Sequence, residues 1–316
     1  MNTIKNFKMV WVLAFAIILA PAVALGQKPV SLSFGAKTWI SSGSSDWSEG
    51  GVGGVPNVLS ELKWDDVDSV VVELTAEAVY SRFILRISGG VGDIGGGTLE
   101  DKDYLGDDRT QLFSDSLSTA DEDGLLSVSG DVGYRLLGGG KGEGFLDLLF
   151  GGQYWKERYI ATEFVQVTPA TGAFADQGKG ITEDFKWTTI RIGARGEIPL
   201  FHDFSFRGGV FFIPWSKFTF VDIHHFRTDL EQNPSFKASV SGGFGFQIDA
   251  ALTFDLGRHL LEGLSVEAGY QYWYLDSGDG EITAKSVTAG DVKQPFNGAT
   301  TTRHGATAGI SYRFRL

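Results

Sequence analysis

The sequence has 316 residues, a formal net charge of −12 at pH 7, and no cysteine. An acidic chain of this kind repels phosphate backbones, which excludes nucleic acid as a partner, and without cysteine it cannot be a small disulfide-stapled scaffold. Its 43 Gly, 24 Phe, 9 Tyr and 8 Trp, set against 8 Pro, favour an all-β chain.

The first element is a secretory signal peptide, predicted over residues 1–26. Lys5 and Lys8 precede an uncharged apolar run from Met9 to Ala20, which Pro21 breaks. Small residues follow at Ala22, Ala24 and Gly26, so cleavage is expected after Ala24 or Gly26. The apolar run is too short for a transmembrane helix. Its removal takes the net charge to −14, and residues 27–316 are expected to form one domain.

Strands then follow one another along the chain. The alternation is longest in the eighth predicted strand. Val240, Gly242, Phe244, Phe246, Ile248, Ala250, Leu252, Phe254 and Leu256 share one face; Ser241, Gln247, Asp249, Thr253 and Asp255 lie on the other. A dry face and a polar face over more than about ten residues are the mark of a transmembrane β-strand. Soluble sandwich strands are about half that length. Strands are predicted at 30–41, 58–79, 82–97, 121–138, 144–162, 183–200, 203–221, 236–257, 263–277 and 303–316. Short turns near residues 80–81, 139–143, 201–202 and 258–262 alternate with long connections at 42–57, 98–120, 163–182, 222–235 and 278–302. This pattern predicts a ten-stranded antiparallel transmembrane β-barrel in a bacterial outer membrane. Its five long loops would be extracellular and both termini periplasmic. Trp39, Trp64, Tyr80, Trp155, Trp187, Trp215, Tyr272 and Trp273 lie toward strand ends, where interfacial girdles are expected. Ten strands leave no room for a wide porin channel.

Two polar motifs fall on the same predicted rim. "GGGTLEDKDYLGDD" carries Asp101 and Asp103 just past the third strand, and "KFTFVDIHHF" carries Asp222, His224 and His225 at the end of the seventh. In extended chain, residues i and i+2 point the same way, so each motif places two side chains on one face. A carboxylate beside an imidazole raises its basicity, and a second carboxylate pair could hold a water and share a proton. By spacing alone, a solvated or ion-binding acidic loop and a catalytic site both stay open. His225 and His304 are read as spare rim histidines, and no spacing argues for a metal.

At these residues the chain resembles the omptin family of ten-stranded outer-membrane endopeptidases. "LSELKWDD" (residues 59–66) resembles the family's second-strand stretch. "GGGTLEDKDYL" is similar to its glycine-rich approach to a D-x-D motif, and Asp222-x-His224 to its D-x-H motif. The resemblance implies that Asp222 and His224 activate a water and that Asp101 and Asp103 complete the site. It implies cleavage of peptides at the cell surface with neither metal nor cofactor. It places acids in the substrate cleft, with Asp46 and Glu49 as candidates, although Phe220 stands where one such acid belongs. "YWKERY" resembles the family's lipopolysaccharide-binding stretch and carries over Tyr154 and Arg158; Lys156 occupies the acid's position. Outer-membrane lipid and lipopolysaccharide are therefore expected partners, and activity is expected to depend on lipopolysaccharide. The alternative is a non-enzymatic surface barrel, an adhesin or a structural protein, on the same scaffold.

Overall fold

A computed structural model describes residues 30–121, 123–140, 143–169, 171–174 and 178–316. The expected signal peptide lies outside them. Among the described residues the strands are β1 (Val30–Glu49), β2 (Ser60–Tyr80), β3 (Phe83–Gly106), β4 (Thr110–Asp121), β5 (Asp123–Gly138), β6 (Phe145–Thr168), β7 (Gly172–Ala173), β8 (Ile181–Phe201), β9 (Phe204–His224), β10 (Phe236–Asp255), β11 (Leu264–Asp276), β12 (Gly280–Ser286) and β13 (Gly290–Arg315). β4 and β5 together make one stave, and β11 and β12 another, while β7 is a short strip on β6. The result is a closed ring of ten antiparallel staves. β1 pairs with β13 from Ser31↔Arg315 to Glu49↔Phe296, which closes it.

The staves run further than the apolar alternation does. β3 has 24 residues, roughly 80 Å at about 3.3 Å per residue. Tilted by about 40°, it still rises about twice the hydrocarbon thickness. The expected loops at 98–120 and 278–302 are therefore mostly strand, and the one at 42–57 is strand as far as Glu49; among the described residues, chain outside the strands includes 50–59, 107–109 and 225–235. The side-chain pattern stops where lipid stops, but backbone pairing does not need lipid. Asp101 and Asp103 consequently sit within β3 rather than in a loop.

Val70, Phe150, Ile192, Phe212, Ile248 and Ile310 are exposed on the outer wall and form the lipid-facing band. Inside, the lumen divides into two zones. The short-turn half holds a cavity of about 1050 Å³ walled by ion pairs. Arg191 grips Asp131 with bonds of 2.9 and 2.7 Å. Arg195 joins Asp147 to Glu77. Above them the lumen fills with rings. Trp39, Trp155 and Trp273 meet with centroids 4.5 to 6.2 Å apart, and Trp187, Phe185, Phe218 and Trp64 continue the packing. Five of the eight expected girdle aromatics (Trp39, Trp64, Trp155, Trp187 and Trp273) are thus buried lumen residues, because they share strand parity with inward neighbours. Tyr80, Trp215 and Tyr272 are only partly buried. His304, expected on the rim, lies instead on the exposed wall, 2.8 Å from the Tyr270 hydroxyl.

One charge is embedded among the rings. Arg303 bonds Glu157 at 2.6 and 2.8 Å, Val67 O at 3.1 Å and Ser69 Oγ at 3.0 Å, and both charged side chains are sealed from solvent. Removing one partner of a buried pair leaves an uncompensated charge, so Arg303→Met should cost about 3–5 kcal/mol. Arg303→Met/Glu157→Leu should recover most of that loss. Urea midpoints of refolded barrel, read by heat-modifiable gel mobility, check both values; an unchanged midpoint for the single variant would show that the pair is not needed.

Candidate active site

The two acidic motifs arrive from different staves. Asp101 and Asp103 lie near the outer end of β3, where the register sets Asp101 beside Leu62 and Asp103 beside Ser60. The three glycines before them differ in role. Gly95 and Gly96 have open space where a Cβ would be, whereas Gly97 has φ +140 and a Cβ there would come within 3.0 Å of Asp65 O and Val67. Gly97 therefore permits the register shift between Asp65 and Ser69, which aims the acid pair.

Asp222 and His224 end β9. Asp222 pairs with Phe236 on one side and Glu183 on the other. The His224 backbone is fixed by N–H donation to Ser235 Oγ at 2.9 Å, and its ring meets Phe236 edge-on at 5.4 Å. Nε2 lies 2.7 Å from Asp222 Oδ2. The two groups form a buried ion pair, and beyond it neither Asp222 oxygen nor His224 Nε2 has a hydrogen-bond partner among the described residues. Orphaned polar atoms on a sealed carboxylate are costly and call for an explanation, such as a role in catalysis.

Two further carboxyls belong to the cluster. Glu49, one of the two cleft acids expected from the sequence, ends β1 with an unpartnered, buried Oε2. Asp46, the other, does not join it. It has the opposite parity on β1, and Thr300 and Lys63 are its neighbours. The sequence did not single out Glu183. It accepts a 2.6 Å bond from the Trp47 indole and a second bond from the Trp64 indole. Its proximity to Asp222 comes from the β8–β9 register, which no local motif reveals. Rings of Trp47, Phe220, Phe236 and Phe296 pack close by, so Phe220 supplies aromatic surface where the resemblance expected an acid.

These groups govern one another's protons. Burial, then Asp103, lifts Asp101 to about 7, while His224 pulls it down. Burial also raises Asp103 against a bond with Ser60 and the pull of His224. Burial lifts Glu49 to about 8 against His224, with Asp222, Asp103 and Asp101 adding to the rise. Burial and Asp222 bring Glu183 to about 8 despite its indole bonds. For His224, burial favours the neutral ring, but Asp222, Asp101 and Glu183 outweigh it and raise the imidazole to about 9. The protons belong to the set rather than to single residues.

The remaining candidates lie elsewhere. Tyr154, Lys156 and Arg158 occupy the outward parity of β6. Lys156 and Arg158 face Asp184 at 3.2 and 3.8 Å, Lys186 lies 3.6 Å from the same acid, and Arg158 is 3.3 Å from Asp123. His225 bonds Thr182 at 3.0 Å, outside the cluster.

Fold and setting define the class: an outer-membrane β-barrel of ten antiparallel staves. Among solved structures, the outer membrane protease OmpT from Escherichia coli is similar, with a TM-score of 0.71 at 13% identity, covering 90% of this chain and 97% of that one. The outer membrane protein OprG from Pseudomonas aeruginosa matches with a TM-score of 0.35 at 11% identity over 91% and 96% of the two chains. A family model described as Protochlamydia outer membrane protein matches residues 39–139. No curated protein matches the sequence.

The shifts fix a direction for stability. The carboxyls of Asp101, Glu49 and Glu183 are raised in the folded state, so folding favours their protonated forms. His224 is raised too, so its contribution is complete below its unfolded value of about 6.5. As pH climbs from about 4.5 through 9, all four contributions are lost. The barrel should therefore be less stable at pH 9 than at pH 5, and Asp222→Asn should flatten the alkaline part of the slope. Urea midpoints across that range measure it, and a rising midpoint would contradict the assignment.

Proposed function

We propose that this protein is an outer-membrane endopeptidase that cleaves peptides at the cell surface through an activated water. The observation that carries this reading is the electrostatic coupling of Asp101 and Asp103, from β3, to the orphaned Asp222–His224 pair, from β9. Four chemically apt side chains from separate staves share one buried patch, in which the Asp101 and Asp103 carboxyls and the His224 imidazole are all raised.

The order of the shifts suggests how the work is divided. Above about pH 7 Asp101 is ionised and, beside Asp103, can take a proton from water as it attacks the scissile carbonyl. Below about pH 9 His224 is an imidazolium, steadied by Asp222, and can pass its proton to the departing amine. No covalent intermediate forms on the protein. Glu49, neutral when alone, would ionise beside a cationic substrate side chain, while the neighbouring aromatic rings suit an apolar one.

The outer wall completes the reading. Lys156, Arg158 and Lys186 set three cations against Asp184 and Asp123, with Tyr154 nearby. That arrangement suits the phosphates of lipopolysaccharide, whose binding would support activity. A second reading, a non-enzymatic surface barrel, draws support from the aromatic filling beneath the site.

Refolded protein with lipopolysaccharide should cleave a mixed peptide library at rates that plateau between about pH 7 and 9 and fall on either side. Asp101→Asn and His224→Ala should each lose about 10²–10⁴-fold in rate. Mass spectrometry of the products reads the result. Equal activity in parent and variants would sink the assignment and leave the surface-barrel reading.

A further inference from the structure

Arg227 lies three residues past His224, on the connection between β9 and β10. Its backbone N–H donates to His224 O at 3.1 Å. The Gln232 side chain ties the turn together, donating to His224 O at 3.0 Å, Arg227 O at 2.6 Å and Leu230 O at 3.3 Å. The connection is in turn fastened to β12, through Glu231 N–H to Lys285 O at 2.8 Å and Val287 N–H to Asp229 O at 2.9 Å. Arg227 therefore stands on an anchored segment rather than a loose tip.

The guanidinium is itself held. Nε and Nη2 donate to the two Asp229 oxygens at 2.8 and 2.7 Å. Among the described residues, that grip leaves the Nη1 edge of the fork without a hydrogen-bond partner. About half of the side chain is exposed, so a solute can reach it. Asp101 and Asp103 both feel its charge, as it feels theirs. It thus presents a fixed cation at the edge of a site whose other ionisable groups, His224 aside, are acids. A guanidinium with a free edge binds carboxylates well, because its planar donors match the two oxygens.

We propose that Arg227 is a specificity-determining residue, favouring peptides that carry an acidic side chain close to the bond to be cut. The inference rests on the peptidase reading above and adds to it a preference for one substrate class. Asp101 and Asp103 repel such a side chain, so Arg227 gives the cleft a polarity: an acidic residue is accepted on its side and disfavoured elsewhere. Asp229 keeps the guanidinium extended and in place when no substrate is bound.

The test separates binding from turnover. A fixed peptide is made in versions that carry Glu or Gln at each position in turn. Affinities are measured by fluorescence anisotropy on refolded His224→Ala protein with lipopolysaccharide, with and without Arg227→Gln, and cleavage is measured on the parent. With Arg227 present, Glu at one register should bind about fivefold more tightly than Gln, the scale of a partly exposed ion pair. Arg227→Gln should abolish that preference, and Arg227→Lys should retain part of it. Binding with no Arg227-dependent preference overturns the proposal, whether or not the parent cleaves. An Arg227-dependent preference without cleavage by the parent upholds it as a binding specificity and sinks the peptidase reading. Failure of every peptide to bind overturns both.

Discussion

Everything in this molecule depends on the closure of β1 against β13. Hydrocarbon offers no hydrogen-bond partners, so a strand in lipid must be paired along both edges, and a sheet achieves that only by meeting itself. The eighteen paired positions between Ser31 and Glu49 on β1 and their partners on β13 remove the last edge. Closure also fixes which staves face one another across the lumen. That is how β3 and β9, far apart in sequence, bring Asp101 and His224 into one electrostatic environment. The site is a product of the ring rather than of either motif.

The lumen shows how one scaffold is filled in two ways. Near the short turns, inward positions carry arginines and acids that satisfy one another, as in Arg191–Asp131 and Arg195–Asp147. Higher up they carry rings, which the sealed pair Arg303–Glu157 interrupts. The aromatic zone supports the acidic cluster from beneath and excludes water from one side of it. This exclusion is what lifts the carboxyls of Glu49, Glu183 and Asp101. Packing and proton affinity are thus linked: the rings set the dielectric in which the acids titrate.

The barrel was legible because lipid imposes a strict parity, and runs such as Val240 to Leu256 display it openly. Asp101, Asp103, Asp222 and His224 were legible as i, i+2 pairs for the same reason. Other features followed from information that no single strand contains. The outer halves of β3, β4 and β13 carry no lipid-facing pattern, so they read as loops although their backbones remain paired. Trp39, Trp155 and Trp187 read as girdle residues, since an aromatic near a strand end gives no sign of facing inward until its register is known. Glu183 reaches Asp222 only through the β8–β9 pairing, and Asp46 misses the cluster only through its parity relative to Glu49. Arg227 lay in a connection without periodicity.

The layer built on Trp39, Trp155 and Trp273 has an effect beyond packing. It lies between the polar cavity and the acidic cluster, and closely packed rings leave little room for water between them. The two halves of the lumen therefore open toward different solutions, the cavity at the short-turn mouth and the acidic cluster at the other. The charges around Arg191 and Arg195 answer to the medium on the short-turn side. Asp101, Glu49 and His224 stand nearest the medium on the other. The protein straddles two solutions, and its ring layer sets its candidate chemistry apart from one of them.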